Sequence, residues 1–165
     1  MDKTLYREAL GAFMTGVTVV TTFDAEHEPW GVTANSFTSV SLEPPLVLVC
    51  LGKKGRTYPT FLASQHFGVN ILSVEQQELA LHFAGSTENR FAGVDCLGRP
   101  GRVPVLPGCS AWFECRVRER FDASDHEIML GEVLDFGRTD SVPLGYCSKE
   151  FVMARPTAQL LEEAS

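Results

Sequence analysis

Gly31 to Leu51 reads GVTANSFTSVSLEPPLVLVCL, and the fold turns on these residues. Two kinds of strand stand side by side in it. Leu46 to Leu51 (LVLVCL) is a continuous apolar run of strand length, which predicts a strand buried on both faces. The segment 30–41 is β-prone but crowded with polar groups: Thr33 to Ser41 carries two Thr, one Asn and three Ser. Its apolar members, Ala34, Phe37 and Val40, do not keep a strict period of two. An ordinary half-buried strand holds more Val and Ile. Two readings fit. One is an edge strand running into a loop. The other is a groove whose hydroxyls and amide bond a planar ligand edge or a phosphate without fixed charge. Glu43-Pro44-Pro45 separates the two halves.

On the N-terminal side, residues 4–14 place Leu5, Ala9 and Phe13 on one helical face, with Gly16 as the stop. GVTVVTTF, 16–23, reads as a strand, followed by a polar turn at 24–29. On the C-terminal side, GKKGRT, 52–57, is a basic loop before a short helix in 57–66, with Thr57 as its cap and Pro59 in its first turn. A strand follows at 67–73 and a helix at 74–84. The Gly- and Pro-rich segment 85–110 is a long irregular connection. In 109–121, Ala111, Phe113, Cys115 and Val117 face one way; Trp112, Glu114, Arg116 and Arg118 face the other. Further strands are expected at 128–137 and 143–147, and a short helix or frayed end in TAQLLEEAS. These strands are not separated regularly by long helices. The pattern predicts a mainly β barrel or sandwich with peripheral helices rather than a doubly wound parallel sheet.

The chain of 165 residues fits one domain, 1–165, able to bury roughly 68–70% of its unfolded surface. With 14 Lys+Arg against 21 Asp+Glu, its net charge of −7 is a poor match for a nucleic-acid backbone. No apolar run approaches the ~20 residues of a membrane span. MDKTLYREAL lacks the apolar centre of a signal peptide, so the cytoplasm is the expected compartment. The five cysteines, Cys50, Cys96, Cys109, Cys115 and Cys147, are odd in number and lack Cys-x-x-Cys spacing, which argues for free thiols. Cys50 and Cys115 read as small core residues. His27, His66, His82 and His126 are scattered, and no metal site is expected.

Gly52-Lys53-Lys54-Gly55-Arg56-Thr57 offers backbone N–H groups and cations to a phosphate; a solvated charged turn is the other reading. His126, between two strands, is placed to meet a ligand or to be an exposed turn residue. Trp30 and Trp112 are suited to stacking on a ring, to core packing or to an oligomer interface. Arg90 is a phosphate ligand or a solvated cation.

At these residues the chain resembles the short-chain flavin reductases, the reductase components of two-component flavin-dependent monooxygenases. The matching pieces occur in order: Arg7 to Thr22, Gly31 to Leu51, FGVNILS at 67–73, HFAG at 82–85, RFAG at 90–93 and SDHEIMLGEV at 124–133. The resemblance covers residues 5–152, leaving 153–165 as a tail. It implies a Greek-key split β-barrel of the FMN-binding type, forming a homodimer with FMN or FAD beside the interface. It implies that Thr33, Ala34, Asn35 and Ser36 border the isoalloxazine and ribityl chain, with Ser39 and Ser41 along the same groove. Cys50 and Leu51 would contact the ring, and Lys53, Gly55, Arg56 and Thr57 would hold the phosphate. Phe83, Ala84, Gly85 and Arg90 would approach the far end of the flavin. His126 matches the family histidine beside the nicotinamide, the one catalytic residue expected, and Tyr146 lies in the segment covering that pocket. Two departures stand out: Ser124 where the family often has Gly, and YCSKEF where a Gly and an aromatic are usual.

The function implied is hydride transfer from NADH or NADPH to flavin, with reduced flavin supplied to a partner monooxygenase. A flavin-binding carrier, a split-barrel enzyme using bound flavin for other redox chemistry, and a haem barrel liganded by His82 or His126 are the alternatives.

Overall fold

Side chains alternate along a strand, so the architecture depends on which strands have both faces covered. The computed structural model describes residues 1–87, 89–97 and 102–154. Helix α1 (Lys3–Gly11) precedes strands β1 (Thr15–Gly16), β2 (Thr18–Phe23), β3 (Pro29–Ala34), β4 (Thr38–Leu42) and β5 (Pro45–Gly52). Helix α2 (Tyr58–Ala63), strand β6 (His66–Ile71), a 3-10 turn (Val74–Gln76) and helix α3 (Gln77–Ala84) follow. Strands β7 (Ala111–Ala123), β8 (His126–Arg138), β9 (Leu144–Cys147) and β10 (Glu150–Met153) complete the order. The expected helix in TAQLLEEAS lies outside the described residues.

Seven strands form one antiparallel sheet in the order β3-β2-β6-β7-β8-β5-β4, and β1-β9-β10 form a smaller one. The β2/β6 and β5/β8 neighbours, distant in sequence, are the Greek-key crossings. Val20 of β2, Val49 of β5, Phe67 and Val69 of β6, Cys115 of β7 and Met129 of β8 share one core. Strands this far apart in the order can share a core only if the sheet curls around it. Just past β3, the Ser36 hydroxyl accepts from the Cys50 N–H (2.9 Å) and donates to the Cys50 carbonyl (3.0 Å), tying the β3 edge to β5. This is the mainly β architecture with peripheral helices that the strand pattern predicts, in the split-barrel form that the family resemblance implies.

A second core lies on the other side of β2, where Val17, Val19 and Leu72 meet Ala80 and Phe83 of α3, Phe91, Leu106 and Leu144. β2 is therefore covered on both faces, and five of its six residues are buried. The apolar run in β5 differs from expectation. Val47, Val49 and Leu51 are buried, but Leu46, Leu48 and Cys50 are half-buried on the outward face. Cys115 is a core residue as expected; Cys50 is not.

Other boundaries moved for local reasons. Segment 30–41 is two strands, split by a turn at 35–37. Helix α1 ends at Gly11, capped at its start by the Asp2 carboxylate, and buries none of its residues. Thr57 is buried and makes no side-chain cap to α2. The described residues of the connection 85–110 form no helix or strand, as expected, yet Val103, Val105 and Leu106 in it are buried. The YCSKEF segment forms the β9–β10 hairpin, with Ser148 (φ 51°) and Lys149 (φ 70°) both in the left-handed region its two-residue turn requires.

Candidate flavin site

The barrel end is shaped by a buried ion pair. Arg120 meets Glu127 at 2.5 Å and donates to the Phe61 and Ser64 carbonyls (2.8 and 2.9 Å), while Tyr58 donates to the other Glu127 oxygen (3.1 Å). A largely buried charge pair held by several hydrogen bonds fixes geometry more than it adds stability. Here it seats α2, and so holds the preceding loop 52–57 against β8. Within that loop, Gly55 N–H donates to Gly52 and Tyr58 N–H to Gly55, each at 3.0 Å.

Against this frame lies a cavity of 320 Å³. Thr33, Ala34, Asn35, Ser36, Cys50, Leu51, Gly55, Thr57 and His126 all line it, joined by Val32 and Tyr58. Its size falls within the ~300–1,000 Å³ of small-molecule sites. The hydroxyls are not all available to a ligand. Thr33 donates to the Ala80 carbonyl (2.6 Å), and Ser36 is engaged with Cys50. Asn35 is exposed and supplies a neutral amide at the rim. The walls are apolar in Val32, Ala34 and Leu51. A planar ring with polar edges fits this lining: apolar faces against Val32 and Ala34, amide and main chain at its rim.

His126 is the first residue of β8, paired across the ladder with Gly52. Its Nδ1 lies 2.9 Å from Asp125 Oδ1, and this hydrogen bond holds the Asp125 carboxyl below the usual carboxylate range. An ionised carboxylate only accepts, so Nδ1 carries the proton. Nε2 is then free of the proton and lies 3.6 Å from where a Cβ on Gly52, another cavity-lining residue, would stand. Ser124 makes the preceding tight turn at φ 62°, the conformation the family's Gly would adopt without strain.

A second hollow, of 470 Å³, shares Thr57 with the first. Arg56, Thr87, Asn89 and Arg90 line it, with Trp30, Asp24 and Glu28. Arg90 donates to the Gly31 carbonyl (2.9 Å) and to Gly85; burial, and then the nearby Arg56, hold its guanidinium below its ordinary value. Arg56 also donates to Ser86 (3.2 Å). A third hollow, of 730 Å³, shares Asn35 and Ser36 with the first, and Tyr146, Arg7, Phe37 and Lys149 line it.

The remaining expected residues stand elsewhere. Lys53 pairs with Asp122 at 2.6 Å outside the cavity. Ser39 and Ser41 are on β4 and line none of these hollows. Phe83 is fully buried in the second core, where it braces β3 from behind: a Cβ on Gly31 would come within 2.7 Å of its ring. Ala84 is exposed at the end of α3, and Gly85 contributes its carbonyl to Arg90. Sequence reasoning passed over Tyr58, Thr87, Asn89 and Arg7. Their signal lies in tertiary contacts, not in spacing.

Comparison with known proteins identifies the family. The flavin reductase like domain family matches residues 10–154. The stachydrine N-demethylase reductase subunit of Rhizobium meliloti is 47% identical over 145 residues, covering 88% of this chain and 63% of that protein. The chain thus spans less than two thirds of that relative's length. An FMN reductase (NADH) of Agrobacterium fabrum is 44% identical over 146 residues, covering 88% of this chain and 83% of that protein. The structure of the Streptomyces globisporus NADH:FAD oxidoreductase in complex with NAD and FAD fragments superposes with a TM-score of 0.88 at 39% identity, covering 95% of each chain. With the family match running over residues 10–154, nearly the whole chain, it belongs to the flavin reductase-like family.

Proposed function

We propose that this chain is an NAD(P)H:flavin oxidoreductase that supplies reduced flavin to a separate monooxygenase. The observation that carries the reading is the cavity between β3 and β5, with a neutral polar rim at Asn35 and His126 at its mouth. Flavin held there by Asn35, Thr57 and Arg56 would supply the redox chemistry, as the hydride acceptor for the reduced nicotinamide. The protein's task is to hold two rings at reacting distance and exclude competing geometries. No acid–base dyad is required for that transfer. His126 positions the nicotinamide: with Nδ1–H bound to Asp125, Nε2 is an acceptor for the carboxamide N–H. Thr57 and Arg56 hold the flavin phosphate, and Arg90 meets the end beyond it. A grip built largely from hydroxyls and main-chain groups suits a flavin that must leave after reduction.

The active form is a homodimer. The outward face of β5 and β8 presents Leu46, Leu48, Ile128 and Leu130, half-buried in the single chain, beside the exposed Phe121. A contiguous apolar sheet face next to the ring cavity fits a second copy of the chain. The cytoplasm is the compartment we assign; the five free cysteines support it, and no helix among the described residues is long and apolar enough to cross a membrane.

Steady-state kinetics of His126→Ala test the positioning role. KM for the nicotinamide nucleotide rises by about tenfold, the scale of one lost hydrogen bond in a desolvated site, while flavin affinity is little changed. An unchanged nucleotide KM contradicts it.

A further inference from the structure

On β3, Trp30, Val32 and Ala34 share one face, because alternate residues of a strand point the same way. Ala34 and Val32 line the ring cavity, and Trp30 lines the second hollow, which continues from it through Thr57. The two hollows therefore form one groove along β3. From Ala34 to Trp30 it runs four residues, roughly 13 Å at ~3.4 Å per residue.

The chemistry changes along this groove in a fixed order. The neutral amide of Asn35 and the apolar walls stand at one end. The cations stand in the middle: the Arg90 guanidinium is bonded at the level of Gly31, and Arg56 adjoins Thr57. The far end holds the Trp30 indole, with Asp24 and Glu28 lining the same hollow. Trp30 Nε1–H donates to Asp24 Oδ2 at 2.8 Å, and the other Asp24 oxygen accepts from the Glu26 and Glu28 N–H groups at 3.0 and 2.8 Å. These bonds lock the indole in place and use the Asp24 carboxylate, leaving Glu28 facing the hollow. An end flanked by Asp24 and Glu28 repels phosphate. It suits a flat base with an exocyclic amino donor.

FMN ends at its first phosphate, so it would reach the cations and leave the Trp30 end empty. FAD continues through a second phosphate and a ribose to adenine. We propose that the groove is built for FAD, with Trp30 as the stacking platform for the adenine and Glu28 as the acceptor for its amino group. The inference rests on the proposed flavin reading and goes further by choosing between the two flavins.

The test is direct binding to the full chain after removal of bound flavin, followed by quenching of flavin fluorescence. Wild-type protein binds FAD at least about tenfold more tightly than FMN, the scale of one base–aromatic stack. ADP displaces FAD at concentrations comparable to its own binding. Trp30→Ala loses roughly tenfold for FAD with FMN affinity unchanged, and Trp30→Phe recovers most of the loss. Equal wild-type affinities for FMN and FAD overturn the inference and leave the flavin-reductase reading standing. So does a Trp30→Ala variant that weakens both flavins alike. Failure to bind either flavin removes both. The wild-type and ADP measurements decide the matter even if a Trp30 variant does not fold.

Discussion

Strands β2 and β5 invert the rule that the more apolar strand is the more deeply buried. β2 reads TVVTTF and buries five of its six residues; β5 reads PLVLVCLG and buries three of eight. The hydroxyls of β2 are tolerated because each has a partner. Thr18 donates to the Ala34 carbonyl (2.7 Å), Thr21 to Pro104 (2.6 Å) and Thr22 to His66 (2.8 Å). Its two valines, Val19 and Val20, serve different cores. The outward residues of β5 are only half-buried among the described residues. Apolarity in a strand thus does not by itself report burial within the chain, and the surplus on β5 is the face that the proposed homodimer would cover.

The comparison can be broken most sharply by placing the same charge in both strands. Val20→Asp puts an unpaired carboxylate into the barrel core, and its expected effect is loss of the folded state in circular dichroism and denaturant unfolding. Leu48→Asp, on the outward face of β5, leaves the chain folded but shifts it from dimer to monomer in light scattering. A folded Val20→Asp, or a Leu48→Asp dimer of unchanged affinity, contradicts the assignment of faces. A smaller effect comes from Thr21→Val, which keeps shape but removes the hydroxyl serving Pro104 and Asn70. It lowers unfolding stability by about 1–3 kcal/mol, the cost of buried partners left unsatisfied. The smallest perturbation is chemical. Burial pushes the Cys115 thiol up to about 12, so it stays unmodified by iodoacetamide at pH 8 until the protein is denatured. Cys50, half-buried on β5 with its thiol also raised by burial, is modified slowly, and added flavin protects it.

Much of this was legible in the sequence, because strand pattern and cavity-lining residues coincide in 31–57. The alternation expected for Ala111, Phe113, Cys115 and Val117 is interrupted: the register shifts between Glu114 and Cys115, which are both buried, and again between Val117 and Glu119. His126 could be placed at the site, though not the Asp125 contact that orients it. Three features were not legible, each because it depends on distant chain. The two-sided burial of β2 comes from α3 and the 102–106 segment folding over it. The internal use of Thr33 and Ser36 depends on the Ala80 and Cys50 main chain. The β9–β10 hairpin turns on Ser148-Lys149, which lacks the Asn-Gly signature such turns favour.

The central claim is that the β3–β5 cavity brings flavin and nicotinamide together for hydride transfer. Oxidation of NADH or NADPH by flavin-stripped protein, with and without added flavin, tests it most directly. The account predicts little oxidation without flavin and a rate that saturates as flavin is added. Protein that holds flavin yet oxidises neither nucleotide would contradict it and leave a flavin carrier in its place.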